Sequence, residues 1–130
     1  MVKTKYLVMS KSLTRAEEQV MQALWNLKEG GFLKDIVEAM PAPRPHHNTV
    51  ATLLKILIDK EVVGIKNPSR YNFYYPLLTR DAYTSGSIAG IAKGYFKGSY
   101  KEVVSFLVDK KKISVDDLEL LLNQLKKKNK

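Results

Sequence analysis

Apolar positions in the first half of the chain follow the period of an α-helix in three places. They predict helices over residues 15–28, 33–40 and about 49–60. Thr14 and Glu17 form a capping box for the first helix, and Gly30 with Gly31 ends it. Three prolines between residues 41 and 45 separate the second helix from the third. Asn48 or Thr49 is expected to cap the third helix.

The third helix is followed at once by two short runs rich in β-branched and aromatic residues. These runs, residues 62–67 and 70–77, flank an Asn-Pro-Ser turn and predict a β-hairpin. Tyr71, Phe73 and Tyr75 fall on one face of the second strand. We interpret the whole aromatic cluster as strand formers that pack the hairpin on the helices, rather than as platforms for stacked bases. The cluster is Tyr71, Phe73, Tyr74 and Tyr75.

After Pro76 the pattern is helical again. One helix is predicted to start at Thr79 or Asp81 and to run to about Phe96, and a second covers residues 100–110. A last helix follows Ser114, which is expected to cap it. The fold class is therefore mainly α with a small β-hairpin wing. Residues 1–79 are predicted to form a winged helix-turn-helix domain, and residues 80–130 a separate helical region. In a winged helix the third helix enters the major groove of DNA, and the hairpin reaches the adjacent backbone.

The outward face of the third helix carries the candidate base contacts. Asparagine can bond adenine through two hydrogen bonds, threonine can meet a thymine methyl, and lysine can reach guanine or phosphate. On the wing, two basic residues are expected to contact phosphates. The predicted DNA-binding residues are His46, His47, Asn48, Thr49, Thr52, Lys55, Lys66 and Arg70. Two of these residues have an alternative role that does not involve DNA. Thr49 could serve only as the helix cap, and Lys55 only as a solvated surface lysine.

The net charge of +9 and the pI near 9.7 favour a polyanionic partner. Residues 1–79 hold 11 basic and 7 acidic side chains, whereas residues 80–130 hold 11 and 6, so the excess is spread over the whole chain. Residues 1–12 are interpreted as a basic arm whose Lys3, Lys5 and Lys11 would neutralise further phosphates.

The sequence offers little support for an enzyme, a metal-binding protein or a membrane protein. The chain has no cysteine, which excludes disulfides and thiolate chemistry. It contains no phosphate-binding glycine loop, no metalloprotease motif and no nucleophile elbow, so we expect neither an enzyme nor a cofactor. Two adjacent histidines make a poor metal site. No apolar run is long enough to cross a membrane, and a cytoplasmic protein is expected.

Three segments stand out, "LTRAEEQVMQALW", "NTVATLLKILIDKEVVG" and "YYPLLTRDAY". Together they resemble the penicillinase-repressor family of bacterial winged-helix regulators (the BlaI/MecI/CopY group). The segment "LTRAEEQVMQALW" is similar to the opening helix of the family. The segment "NTVATLLKILIDKEVVG" is similar to its recognition helix, and "YYPLLTRDAY" to the passage from the wing into the dimerisation helices. Ala51 stands where several relatives carry a long polar residue, which implies a different DNA specificity.

The resemblance implies a homodimeric repressor that binds a palindromic operator. The dimerisation residues would be the apolar ones of the last three helices: Ile88, Ile91, Tyr95, Val104, Leu107, Leu118, Leu121, Leu122 and Leu125. It also implies relief of repression by proteolysis, triggered by a membrane sensor metalloprotease. The matching bond is Ser105–Phe106, where serine replaces the asparagine of the family. Copper sensing through a cysteine motif is excluded.

Two alternatives to a double-stranded DNA repressor remain. Winged helices also serve as protein-interaction modules without specific DNA binding, since a fold does not fix a function. The aromatic residues of the wing could alternatively bind single-stranded DNA or RNA. Steep loss of affinity with salt would favour DNA over a protein partner.

Overall fold

The structure is a computed structural model that describes residues 13–129. The predicted basic arm with Lys3, Lys5 and Lys11 lies outside the described residues. The described chain falls into two compact units, which divide between Ser87 and Ile88.

Six helices and three short strands follow one another along the described residues. They are α1 (Arg15–Asn26), β1 (Gly31–Phe32), α2 (Leu33–Glu38), α3 (His47–Asp59), β2 (Val63–Lys66), β3 (Phe73–Pro76), α4 (Arg80–Tyr95), α5 (Tyr100–Asp109) and α6 (Val115–Lys128). Helices α1 and α2 end two residues before their predicted limits, and each then closes through an αR cap residue.

The predicted capping box of α1 is confirmed. The backbone N–H of Glu17 donates to Thr14 Oγ1 over 3.1 Å, and the Thr14 N–H donates to Glu17 Oε1 over 3.0 Å. The predicted Ser114 cap of α6 is confirmed as well, with Asp117 as its reciprocal partner. Both helix starts are therefore set by side chains three residues apart in the sequence.

The wing belongs to a three-stranded antiparallel sheet of order β1-β3-β2. The predicted hairpin is β2 with β3, in a register that pairs Val63 with Pro76 and Lys66 with Phe73. This hairpin is confirmed, and β1, which was not predicted, adds to the other edge of β3. Gly30 precedes β1 with φ of 115°, and a Cβ there would lie 2.2 Å from the Tyr74 carbonyl oxygen. Only glycine fits this close approach.

The core of the first unit lies where α1, α2 and α3 meet the sheet. Helix α3 contributes its whole inner stripe, and the segment after it continues the same core. The largest side chains with almost no exposure are Met21, Leu24, Ile36, Leu54, Leu57, Val20, Val50, Val62 and Val63. Tyr74 is the wing aromatic that packs into this core, which confirms the structural interpretation of the aromatic run for this residue.

A cluster around Trp25 fastens the first turn of α4 to α1. The Trp25 Nε1–H donates to the Leu78 carbonyl over 2.8 Å. The Arg80 guanidinium lies 5.8 Å from the indole ring centre, and the Tyr83 ring lies 5.9 Å from it. The Tyr83 hydroxyl also donates to the carboxylate of Glu18. Aromatic, cationic and hydrogen-bonding contacts thus converge on one indole.

The second unit contains the rest of α4 with α5 and α6. None of the residues of α5 and α6 is buried, and Ala92 is the one buried residue of α4 among those described. Ser99 caps α5 by accepting from the Glu102 N–H. The Phe96 and Phe106 rings meet edge to face with centres 5.5 Å apart. Apolar side chains of this unit therefore lie largely open to solvent.

Candidate nucleic-acid interface

Helix α3 begins at His47, two residues earlier than predicted. His46 is its N-cap, and its Nδ1 accepts the backbone N–H of Asn48 over 3.1 Å. The expectation that Asn48 or Thr49 caps this helix is wrong, because His46 offers an acceptor two residues upstream of Asn48. Asn48 and Thr49 instead lie in the first turn, where both side chains are exposed.

The outward face of α3 is polar. All six predicted contact residues on or before this helix are exposed: His46, His47, Asn48, Thr49, Thr52 and Lys55. The Thr52 hydroxyl donates to the Asn48 carbonyl over 2.9 Å, which leaves its methyl group and its oxygen lone pairs for a partner. The opposite side of the helix holds Val50, Leu54 and Leu57, all fully buried. The rigid core thus presents one polar helix face to solvent.

The far end of α3 is tied to the start of α1. The ammonium of Lys60, the C-cap residue of α3, lies 2.7 Å from Oε1 of Glu17. Burial by itself raises the pKa of the Glu17 carboxyl. Hydrogen bonds from Lys60 and Thr14, together with the Lys60 charge, outweigh burial and hold this pKa below its ordinary value. Glu17 is therefore a charged group that fixes the position of α3.

The two predicted phosphate contacts of the wing have different surroundings. Lys66 lies over the rings of Phe73 and Tyr75, with Nζ 5.3 and 5.5 Å from their centres. Successive strand residues point to opposite faces, so these rings lie on the sheet face opposite to Tyr74. Arg70 is exposed at the tip, and its guanidinium carbon is 5.8 Å from the Tyr71 ring centre.

The structure brings two of the predicted DNA-binding residues to one groove. His47, at the start of α3, and Arg70, at the wing tip, both line a groove between α2 and the wing. Lys66 instead borders a smaller recess with Glu29 and Phe73. The predicted set is thus one contiguous face along α3, with Arg70 beside it and Lys66 on another surface.

Two exposed basic residues near this face were missed from the sequence. Arg44 precedes α3, and one of its guanidinium nitrogens donates to the Glu38 carbonyl over 3.2 Å. The prolines around it indicate only a stiff connector between two helices. Lys34 lies on α2 and lines the same groove as Arg70. The sequence did contain a signal for Arg44, because a basic residue just before a recognition helix is well placed to contact a phosphate.

The predicted dimerisation and cleavage residues lie in the second unit. Seven of the nine apolar residues are exposed and the other two, Leu107 and Leu118, are half-buried. Ser105 and Phe106 are exposed in the middle of α5. The Lys110 ammonium lies 5.6 Å from the Phe106 ring centre. The Ser105–Phe106 bond is thus accessible but helical.

A family model decides the relationship of the chain to known proteins. The model of the penicillinase repressor matches residues 13–127, which is nearly all of the chain. The protein belongs to the penicillinase repressor family. This family consists of transcriptional regulators rather than enzymes, and the three-helix unit with its wing is the DNA-binding fold that the resemblance implied. The protein is accordingly a winged-helix transcriptional repressor that binds DNA.

Individual relatives agree with this family. The methicillin resistance regulatory proteins MecI of Mammaliicoccus sciuri and of Staphylococcus aureus strain N315 are each 26% identical to this chain over 117 residues. Each alignment covers 89% of this chain and 94% of the relative.

Among solved structures, this repressor is similar to MepR, a transcription regulator of the Staphylococcus aureus multidrug efflux pump MepA. The alignment covers 96% of this repressor. The alignment covers 87% of the MepR chain, at a TM-score of 0.47 and 18% identity. The alignment with the G34K mutant of MepR has a TM-score of 0.48 and 19% identity. It covers 96% of this repressor and 83% of the MepR chain.

No helix within residues 13–129 of this repressor is both long and apolar enough to cross a membrane.

Proposed function

We propose that this repressor acts as a homodimer that recognises a palindromic operator through α3. The observation that carries the proposal is the exposed polar face of α3, backed by a fully buried stripe of the same helix. Asn48 and Thr52 stand one turn apart on this face, and Lys55 follows them. In a major groove, Asn48 would read adenine, Thr52 would meet a thymine methyl, and Lys55 would reach guanine or phosphate.

Arg70 is the wing contact that the geometry favours. It lies at the exposed tip, and within the described residues it forms no ion pair, so its donors are free for a phosphate. Lys66 is held against two aromatic rings on the other sheet face and would reach the backbone only by extending away from them. His46, which caps α3, supports the reading helix and leaves only Nε2 for DNA.

The dimer is supported by the second unit. Leu121, Leu122 and Leu125 are each more than half exposed on α6, and Ile88 and Ile91 are nearly half exposed on α4. Helices with this much open apolar surface gain stability when they share a core with a second copy. Two copies of α3 would then read two half-sites, and the linkage would multiply their affinities.

Relief of repression would follow a cut at Ser105–Phe106 after a membrane sensor metalloprotease receives its signal. The bond lies within α5, so a protease that binds extended backbone needs this helix to open first. Cleavage there would split the second unit, which in the proposed dimer joins the two winged-helix units. Each winged helix would then bind its half-site alone and weakly.

Fluorescence anisotropy on the duplex upstream of the gene, compared with a scrambled duplex, tests the operator proposal. We expect the natural duplex to bind two protomers and to bind more tightly. The Asn48→Ala variant should lose about 1–3 kcal/mol of this preference. Asn123→Ala, a matched change at an exposed position of α6, should leave it intact. Equal binding of the wild-type protein to both duplexes would overturn sequence-specific repression.

A further inference from the structure

The groove between α2 and the wing has the size and the lining of a small-molecule site. Its volume is about 850 Å³, within the range of ligand pockets in proteins. Its inner wall includes Val37 and Tyr74, which are both buried, and the half-buried Phe32 and Leu33. The Tyr71 ring, 64% exposed, forms part of the wing side. Aromatic and aliphatic carbon therefore dominates this surface.

Two cations, Lys34 and Arg70, and two carboxylates, Asp35 and Glu38, border the groove. Oδ2 of Asp35 accepts the backbone N–H of Phe32 over 3.0 Å, so this carboxylate is already engaged. Lys34 and Glu38 stand one helical turn apart on α2, but within the described residues they form no ion pair. Arg70, across the groove, has no carboxylate partner within the described residues. A guanidinium in this position offers paired donors to a carboxylate.

The groove also adjoins the polar face of α3, which is proposed to contact DNA. His47, the first residue of α3, lines it together with Arg70. A molecule in the groove would therefore lie between the start of the reading helix and the tip of the wing. It would engage the guanidinium of Arg70, which would then no longer be available for a phosphate of the operator.

We propose that this groove binds a small aromatic carboxylate, and that this ligand regulates the repressor by competing with DNA. The aromatic body would stack on the exposed ring of Tyr71 and pack against the apolar groove wall, and the carboxylate would pair with Arg70. The regulatory half rests on the proposed function of Arg70 and α3, whereas the binding half does not. This route of induction would act without any cut in α5.

Two probes test binding without DNA. They are 2-naphthoate, which carries the carboxylate, and 2-naphthylmethanol, which has the same ring system without a charge. Each is titrated into the full-length, ¹⁵N-labelled protein and followed by two-dimensional NMR. We expect saturable shifts of the Val37, Asn72 and Tyr74 amides, and tighter binding of 2-naphthoate. Shifts confined to α5 and α6, or equal affinities for both probes, would overturn the proposed site.

Three variants separate the charge from the ring. Arg70→Gln should weaken 2-naphthoate about tenfold, as the loss of a charge-assisted contact requires, and leave 2-naphthylmethanol unchanged. Tyr71→Ala should weaken both probes, and the high exposure of this ring makes the change safe for folding. Arg15→Gln removes the same charge at an exposed position outside the groove and should change neither. An Arg70→Gln variant with wild-type affinity for 2-naphthoate would overturn the assigned role of Arg70.

Competition is then measured by anisotropy of the operator duplex with and without saturating 2-naphthoate. We expect a lower apparent affinity for the duplex that scales with ligand occupancy. Simultaneous binding without mutual effect would overturn the regulatory half. If 2-naphthoate binds in the groove while no duplex binds at all, the operator proposal fails and the groove stands. If the duplex binds and the groove stays empty, only the groove proposal fails.

Discussion

The ammonium of Lys60 lies 2.7 Å from the buried carboxylate of Glu17, so that one ion pair joins the end of α3 to the first turn of α1. The same carboxylate oxygen accepts the Thr14 N–H. Glu17 therefore caps one helix and anchors another. This double use ties the position of the reading helix to the opening segment of the first unit.

Replacing Glu17 by Gln should destabilise the first unit by about 1–3 kcal/mol, because Lys60 would lose its charge partner. The amide oxygen of Gln can still accept one of the hydrogen bonds. Urea unfolding gives the free energy. Glu29→Gln, a matched change at an exposed carboxylate, should cost little. A double-mutant cycle with Lys60→Met isolates the pair. A coupling energy of zero would show that the contact adds nothing to stability.

The Glu17 site also predicts how stability depends on pH. Its folded pKa is lower than its unfolded pKa, so its contribution is fully present above the ordinary glutamate pKa of about 4.3. The contribution is lost as the pH falls through the depressed folded pKa. The difference in unfolding free energy between the wild-type protein and Glu17→Gln should thus be constant near neutrality and shrink in acid. A difference that grows in acid would contradict the depressed pKa.

Tyr83 should respond in the opposite pH range. Its burial, and next its hydrogen bond to Glu18, raise the pKa of its hydroxyl above the ordinary value. The associated stability is present below the ordinary tyrosine pKa of about 10 and is lost as the pH rises through the raised value. Absorbance titration should show one tyrosine ionising later than the rest. Tyr83→Phe should remove this late step and no other.

The His46 cap makes a prediction about the start of α3. His46→Ala removes the acceptor for the Asn48 N–H and should cost about 0.5–2 kcal/mol. His46→Asn supplies a preferred capping side chain and should restore the stability. Thermal unfolding followed by circular dichroism measures both. If Ala and Asn behave alike at this position, the cap contributes nothing.

Lys55 is expected to act through charge. If it neutralises one phosphate, Lys55→Ala should reduce the slope of log affinity against log salt by about 0.9. Lys101→Ala, at an exposed position of α5, should leave the slope unchanged. A fall in affinity at constant slope would instead assign Lys55 to a base contact without phosphate.

Limited proteolysis with chymotrypsin tests the proposed dimer. Cleavage after Phe106 should slow as the protein concentration rises, because a second copy would cover the apolar face of the second unit. Cleavage after Tyr71, which lies exposed on the wing, should not depend on protein concentration. This second site serves as a control within the same molecule. Parallel behaviour of the two sites would argue against a dimer formed through the second unit.

Local signals made much of the fold predictable. The Thr14–Glu17 and Ser114–Asp117 boxes involve neighbours in sequence, and the buried stripe of α3 follows from its period. Strand β1 was missed because two residues show no period, and its partner, β3, lies about forty residues further on. The same limit applies to the groove, whose walls come from α2 and the wing. Their approach depends on tertiary packing, which no short segment encodes.

The cluster around Trp25 gives this protein an internal optical probe. Trp25 is the one tryptophan of the chain, and its indole is held by Leu78, Arg80 and Tyr83 where α1 meets the start of α4. Its emission therefore originates from one known place. Loosening of that junction would expose the indole to water and shift its emission to longer wavelength. Unlabelled protein can thus report whether DNA, a small ligand or proteolysis disturbs this joint.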